Sequence, residues 1–256
     1  MAVAAWQISS QSHCGNVRTV NEDSLLVQQH YPLLAIADGM GGHQAGDIAS
    51  QMLIGQLAIL NLDTHLATAT QQVSQAIQES NTNIMDYSTR NLKGQTIGST
   101  VVAMLSQGTV GACLWVGDSR LYRHRNHQLQ QLTEDHSYVA ELVRAGQLLP
   151  EEAANHPNAN IITRTVGVAT PVQVDQLRFD VIPQDTFLLC SDGLYHEVSD
   201  SELAQALAAE DIYRASDQLL NLCLRRAAKD NVSFIIARAL AEEINTDDTT
   251  LTLIHD

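Results

Sequence analysis

Residues 33–46 read LLAIADGMGGHQAG, and this stretch limits the fold more than any other in the chain. Residues 33–37 form a short apolar run of the kind that fills a buried strand, and Asp38 stands where such a strand would surface. Gly39, Gly41, Gly42 and Gly46 then let the chain turn sharply and bring bare backbone carbonyls close to whatever Asp38 holds. A cation is the natural guest of a carboxylate framed by carbonyls.

Strand, glycine loop and helix is also the layout of phosphate-cradling nucleotide sites. The details argue against that reading. Gly41 to Gly46 has the G-x-x-x-x-G spacing, but Asp47 and Ile48 follow where a phosphate loop needs Lys and Ser or Thr, and Gln44 breaks the G-x-G-x-x-G begun by Gly39 and Gly41. Asp38 would also repel a phosphate unless a metal stood between them. A bland glycine turn is the other alternative, and only further carboxylates can decide against it.

The chain has 256 residues, 45% of them apolar, which suits one domain with a large core. Asp and Glu number 29 against 14 Lys and Arg, and the net charge of -15 disfavours a nucleic-acid or anionic-membrane surface. Cys14, Cys113, Cys190 and Cys223 are far apart and form no C-x-x-C pair, which points to a reduced, cytoplasmic protein. Residues 1–10 lack the basic start and apolar stretch of a signal peptide, and no run approaches the roughly 18 apolar residues of a membrane span. A soluble monomer is expected.

Residues 2–9 and 24–28 read as strands flanking a polar loop, 13–23. Apolar residues then recur at helical spacing, first as Ile48, Met52, Leu53, Leu57 and Leu60, then as Leu66, Ala69, Val73, Ile77, Ile84 and Tyr87. From residue 99 the period becomes that of strands, with turns at Gln107-Gly108, Gly117-Asp118 and Arg125-Asn126, which reads as an antiparallel meander. Residues 134–165 interrupt it. They are polar, contain Gly146, Pro150 and Pro157, and are too long for a hairpin loop, so they are expected to form an inserted flap. Strands follow at 174–181, 185–190 and 231–239, with helices from Ser199 and Ile212 between the last two; the acidic, Thr-rich tail at 241–256 is either disordered or adds an edge strand at 249–254.

Three more acidic residues repeat the setting of Asp38. Trp115-Val116-Gly117-Asp118 ends one strand, Leu188 to Gly193 ends another in Asp192-Gly193, and Lys229-Asp230-Asn231 begins the last. Antiparallel strands can gather such ends at one edge of a sheet, where unpaired carboxylates raise one another's pKa and divalent cations remove the cost. Oxygen-only donors favour Mg²⁺ or Mn²⁺ over Zn²⁺. Each Asp alone could merely initiate a turn. No calcium loop of the D-x-[DN]-x-[DN]-G type is present, and Ser119 in Gly117-Asp118-Ser119 lacks the partners of an esterase nucleophile.

Arg18-x-x-Asn21-Glu22-Asp23, the DGMGG of Asp38 to Gly42, Gly98-Ser99-Thr100, Gly117-Asp118-Ser119-Arg120, Ser191-Asp192-Gly193 and Asp230-Asn231 together resemble the PP2C (PPM) family of metal-dependent protein serine/threonine phosphatases, in the bacterial pattern. They occur in the family's order across residues 4–240, which would be the phosphatase domain. The resemblance implies an α+β fold, a four-layer α-β-β-α sandwich of two antiparallel sheets flanked by helix pairs. It also implies hydrolysis of phosphoserine or phosphothreonine by a hydroxide bridging two Mn²⁺ or Mg²⁺ ions, without a phosphoenzyme.

Carried over residue by residue, Asp38 would bridge the two ions, Glu22 and the carbonyl of Gly39 would serve one, and Asp192 and Asp230 the other. Asp23 would hold metal-bound waters, and Asp118 with Asp192 matches a third-ion site of bacterial members. Arg18 would grip the substrate phosphate as a bidentate guanidinium. The implied partners are phosphorylated proteins, targets of a Ser/Thr kinase.

Two positions depart from the pattern. Some eukaryotic relatives carry His directly after the first Asp-Gly, where this chain has Met40, so His43 becomes the nearest imidazole able to act as the acid; its alternative is to pack under the loop or cap the next helix. Lys229 stands where small residues usually precede Asp-Asn, and is expected to point to solvent. A phosphoprotein-binding pseudophosphatase and a metal-sensing module are the rival readings.

Overall fold

The computed structural model describes residues 3–29, 33–41, 45–153 and 156–241. In chain order the elements are β1 (Val3–His13), β2 (Asp23–Gln28), β3 (Leu33–Gly41), α1 (Gly46–Ala58), α2 (Leu66–Asn91), β4 (Ile97–Ser99), β5 (Val101–Gln107), β6 (Val110–Val116), β7 (Arg120–Arg125) and β8 (Gln128–Gln131). They continue as α3 (Tyr138–Arg144), α4 (Pro150–Ala153), β9 (Asp175–Asp180), β10 (Thr186–Cys190), α5 (Asp192–Tyr195), α6 (Asp200–Leu207), α7 (Ile212–Arg225) and β11 (Val232–Ala241).

The strands form two antiparallel sheets. One has the order β1-β11-β10-β7-β8, the other β2-β3-β5-β6-β9 with β4 added to β3. Side chains alternate across a strand, and β3 shows how this makes four layers. Leu33, Ala35 and Ala37 pack against Leu53, Leu57, Val73 and Ile77 of α1 and α2, while Leu34 and Ile36 meet Phe187, Leu189 and Ile235 of the other sheet. A third cluster lies beneath the C-terminal helices, where Leu188, Phe234 and Ile236 meet Leu203, Leu207 and Leu219. Strands covered on both faces need no polar positions, which is why residues 33–37 and 101–105 are unbroken apolar runs. Each such side chain fully buried contributes about 1.5–3 kcal/mol. The α-β-β-α sandwich is therefore the observed fold.

The expected meander is corrected. β5 and β6 pair within one sheet, whereas β7 and β8 belong to the other, and the chain crosses the sandwich through Gly117, Asp118 and Ser119. Gly117 makes the crossing possible: its φ is +106°, and a Cβ there would lie 2.6 Å from Thr100 Cγ2. Period-two alternation marks a strand but not the sheet it joins, so the crossing reads in sequence as one more hairpin.

Two boundaries also differ. β3 does not stop at Asp38 but runs to Gly41, pairing Gly39 with Ser99 and Met40 with Gly98 of β4. β1 continues to His13, so the polar loop begins at Cys14. The tail at 242–256 and the possible edge strand at 249–254 lie outside the described residues. The four cysteines are free thiols.

Candidate active site

Strand register brings the acidic residues to one end of both sheets, not to the edge of one. Asp23 opens β2 directly opposite Asp38 of β3. Thr100 donates its amide to the Asp38 carbonyl at 2.9 Å, and its hydroxyl accepts from the Asp38 amide at 3.1 Å. The same hydroxyl is 2.7 Å from Ser119 Oγ, beside Asp118 at the sheet crossing. From the second sheet come Asp192, opening α5 after β10, and Asp230, two residues before β11.

Burial and mutual repulsion set the electrostatics. Asp38 is held well above the ordinary carboxylate range, first by burial and then by the charges of Asp23, Asp192, Asp118 and Asp230. Burial likewise pushes Asp23 up to about 7, against hydrogen bonds from Ser233 and Ser191 and with the charge of Asp192, and pushes Asp118 up to about 7, with the charges of Asp192 and Asp135 adding to it. Asp192 is raised as well, chiefly by burial, with the charge of His196 opposing it; the His196 Nδ1 lies 3.5 Å from Asp192 Oδ2.

These residues suit hard divalent cations. One oxygen of Asp23 accepts from Ser191 Oγ at 2.9 Å, while Oδ1 is buried with no hydrogen-bond partner. The donors are all oxygens, and their raised pKa values record a surplus of negative charge that a cation would offset. Glu22 and the Gly39 carbonyl converge beside Gly46: a Cβ on Gly46 would lie 2.7 Å from Glu22 Oε1 and 2.8 Å from Gly39 O. Gly39 itself leaves no room for a side chain, since a Cβ would strike the Gly46 carbonyl. Among the described residues, no three His, Cys, Asp or Glu side chains are drawn together as a closed cage.

Several polar residues that hold this end together carried no role in the sequence reading. Asn231 Oδ1 accepts from the Glu22 amide at 2.8 Å, and its Nδ2 donates to the carbonyls of Cys14 and Val20 at 3.0 Å each, so it clamps the loop bearing Arg18 and Glu22. Ser191 links Asp23 to the Ser233 amide, and Ser99 Oγ donates to the Asp38 carbonyl at 3.0 Å. The signal was present: each is the neighbour of an acidic residue or glycine in a motif already singled out.

The sequence profile for protein phosphatase 2C matches residues 11–245. The chain belongs to this family. It is 36% identical over 230 residues to the serine/threonine phosphatase stp of Listeria monocytogenes, covering 87% of this chain and 91% of that one. It is 34% identical over 256 residues to the serine/threonine protein phosphatase PstP of Mycobacterium tuberculosis, covering 96% of this chain but 49% of that longer one. Among solved structures, PppA of Pseudomonas aeruginosa superposes with a TM-score of 0.86 at 37% identity, covering 94% of this chain and all of that one. The catalytic domain of PstP in complex with two manganese ions superposes with a TM-score of 0.83 at 32% identity, covering 93% and 99%.

In this phosphatase, Arg18 is exposed and donates to Asp230 Oδ2 at 2.8 Å. Lys229 is exposed, as expected. Gly42 and His43 lie outside the described residues. A cavity of 720 Å³ opens between residues 134–165 and the body, lined by Asp118, Arg120, Asp135, Val139, Tyr195 and His196 among others. Its wall is stiffened by Arg120, which grips Asp135 through two nitrogens, donates to Tyr122 Oη at 2.8 Å and stacks 3.6 Å above the Tyr195 ring. Tyr195 in turn donates to the Asp118 carbonyl at 3.2 Å. Among the described residues no helix is long and apolar enough to cross a membrane.

Proposed function

We propose that this phosphatase removes phosphate from phosphoserine and phosphothreonine of cytoplasmic proteins, acting as a monomer against a Ser/Thr kinase, through Mn²⁺ or Mg²⁺ held at the carboxylate end of the sandwich. The observation that carries the reading is the convergence on Asp38 of the charges of Asp23, Asp118, Asp192 and Asp230. Asp38, Glu22 and the Gly39 carbonyl would hold one ion, Asp38 with Asp192 and Asp230 another, and Asp118 with Asp192 would hold a third. The ions supply Lewis acidity, activating water near neutral pH and offsetting phosphate charge.

The chain's own residues do the rest. The bare Oδ1 of Asp23 orients water at the site, because it is the one buried carboxylate oxygen among the described residues left without a donor. Arg18 binds the phosphate through its guanidinium and must leave Asp230 to do so. His43, in the glycine loop, protonates the departing alkoxide. Residues 1–240 form the phosphatase domain, residues 134–165 form the flap that selects among phosphoproteins, and residues 241–256 are an acidic tail; neither nucleic acid nor a membrane is a partner.

Hydrolysis of p-nitrophenyl phosphate with added Mn²⁺ and with chelator tests the reading. Turnover that requires the metal supports it, whereas Mn²⁺ or phosphoprotein binding without turnover would favour a metal-sensing module or a pseudophosphatase. The outer ion has its own test. Asp118→Ala should keep two bound Mn²⁺, lose the third and slow turnover about tenfold; loss of all ions, or an unchanged rate, would contradict the assignment.

A further inference from the structure

The flap is joined to the body at its two ends, and both joints reach the carboxylates. At its end, Val166 exchanges backbone hydrogen bonds of 2.9 Å with Ser99, whose hydroxyl holds the Asp38 carbonyl. At its start stands His136, with a side chain only 3% exposed.

His136 is bonded in four directions. Its amide donates to the Gly117 carbonyl at 2.9 Å, and its carbonyl accepts from the Thr163 amide at 2.8 Å, tying the two ends of the flap together. The Gly117 amide donates to Nδ1 at 3.0 Å. With Nδ1 accepting, the neutral ring carries its proton on Nε2, which lies 3.2 Å from Asp175 Oδ2 and 3.1 Å from Arg164 Nη1, and that same Arg164 nitrogen, from the flap's end, donates to the other oxygen of Asp175 at 2.7 Å. The ring stacks on Trp115, 6.1 Å between centroids and 14° between planes, and Trp115 Nε1 donates to the Glu134 carbonyl at 2.8 Å.

We propose that His136 is a positioning residue that couples the flap to Asp118: one ring nitrogen fixes the Gly117-Asp118 crossing and the other holds the Asp175-Arg164 pair at the flap's end. A buried histidine that only filled space would need neither bond. Here the amide it receives belongs to the residue that precedes Asp118, at a glycine whose left-handed backbone and contact with Thr100 leave the crossing no slack. A shift of the flap's base is passed to the Gly117-Asp118 crossing through this ring, beside the backbone bond from the His136 amide to the Gly117 carbonyl. The effect on Mn²⁺ rests on the outer-ion reading above; the effect on the Gly117 amide does not.

Two substitutions divide the ring's functions. His136→Ala removes both bonds, while in His136→Asn the side-chain oxygen takes the place of Nδ1 as acceptor but falls short of Asp175. Backbone amide exchange at residues 117–119, melting temperature, Mn²⁺ titration, and kcat and KM on p-nitrophenyl phosphate and a phosphopeptide are measured on the full chain. His136→Ala should speed exchange at 117–119, weaken the last Mn²⁺ about tenfold, lower kcat on both substrates and raise KM for the phosphopeptide. His136→Asn should restore slow exchange, Mn²⁺ binding and the aryl phosphate kcat, yet keep a raised KM for the phosphopeptide. If His136→Ala does not fold, His136→Asn and His136→Gln, which reaches Asp175 instead, make the same comparison with opposite halves kept. Unchanged exchange at 117–119 in His136→Ala, or no difference between the Asn and Gln variants, overturns the coupling. Faster exchange at 117–119 in His136→Ala, with the wild-type protein binding only two Mn²⁺, supports the coupling and removes the outer-ion reading.

Discussion

The carboxylate end of the sandwich and the flap beside it are held by different means. Asp23 and Asp38 face each other in strand register, Thr100 bonds both backbone groups of Asp38, and Asn231 fixes the loop of Glu22 from the opposite sheet. Among its described residues, the segment 134–165 has two short helices, seven residues and four, leaves Leu149 and Ile161 exposed, and bonds to the body at its two ends. The carboxylate end is fixed by backbone ladders, while the segment proposed above to meet substrates is tied to the body by fewer bonds.

The strongest break of this contrast is at Asp38. Asp38→Asn should lower kcat by about 10³-fold or more, because it removes a charge that two ions would share, and yet raise the melting temperature of the chelated protein above wild type, since like charges no longer crowd one buried end. Full activity with chelator present would sink the two-metal reading; a lower melting temperature would show that repulsion does not strain this end.

Next in size is His43, which follows Asp38 in the glycine-rich stretch of the sequence. A serine alkoxide is a very poor leaving group, whereas p-nitrophenolate departs without a proton. His43→Ala should therefore depress phosphoserine-peptide turnover by roughly a hundredfold and barely affect p-nitrophenyl phosphate. Equal losses on both substrates would assign His43 to the structure of the loop.

Replacing residues 134–165 by a short linker sharpens the comparison from the other side. The relative kcat/KM among phosphopeptides should change by about tenfold, with aryl phosphate hydrolysis altered less, only as far as the lost His136 bond loosens Asp118. Collapse of the melting temperature would make the segment part of the fold. The smallest effect belongs to Arg18, exposed and, among the described residues, bonded to Asp230: Arg18→Ala should raise KM for phosphopeptides about fivefold with little change in kcat, as expected of a clamp present in ground and transition states alike. A pure kcat loss would move Arg18 into the chemistry.

Local patterns in the sequence establish which segments are buried strands and that acidic residues recur at their ends beside glycine, because apolar period and turn chemistry are local properties; the family rests instead on the resemblance of those acidic motifs. The sequence could not assign β7 and β8 to the second sheet: the crossing at Gly117 looks like a hairpin until Thr100 is seen against it. Nor could it give a role to Asn231 or Ser191, which its motifs contain, or to His136, because their partners lie 209, 168 and 39 residues away in the chain. A polar side chain carries no mark of what it will bond; only packing two sheets face to face decides which amide or carboxylate it meets, and so which residues hold the site that the motifs announce.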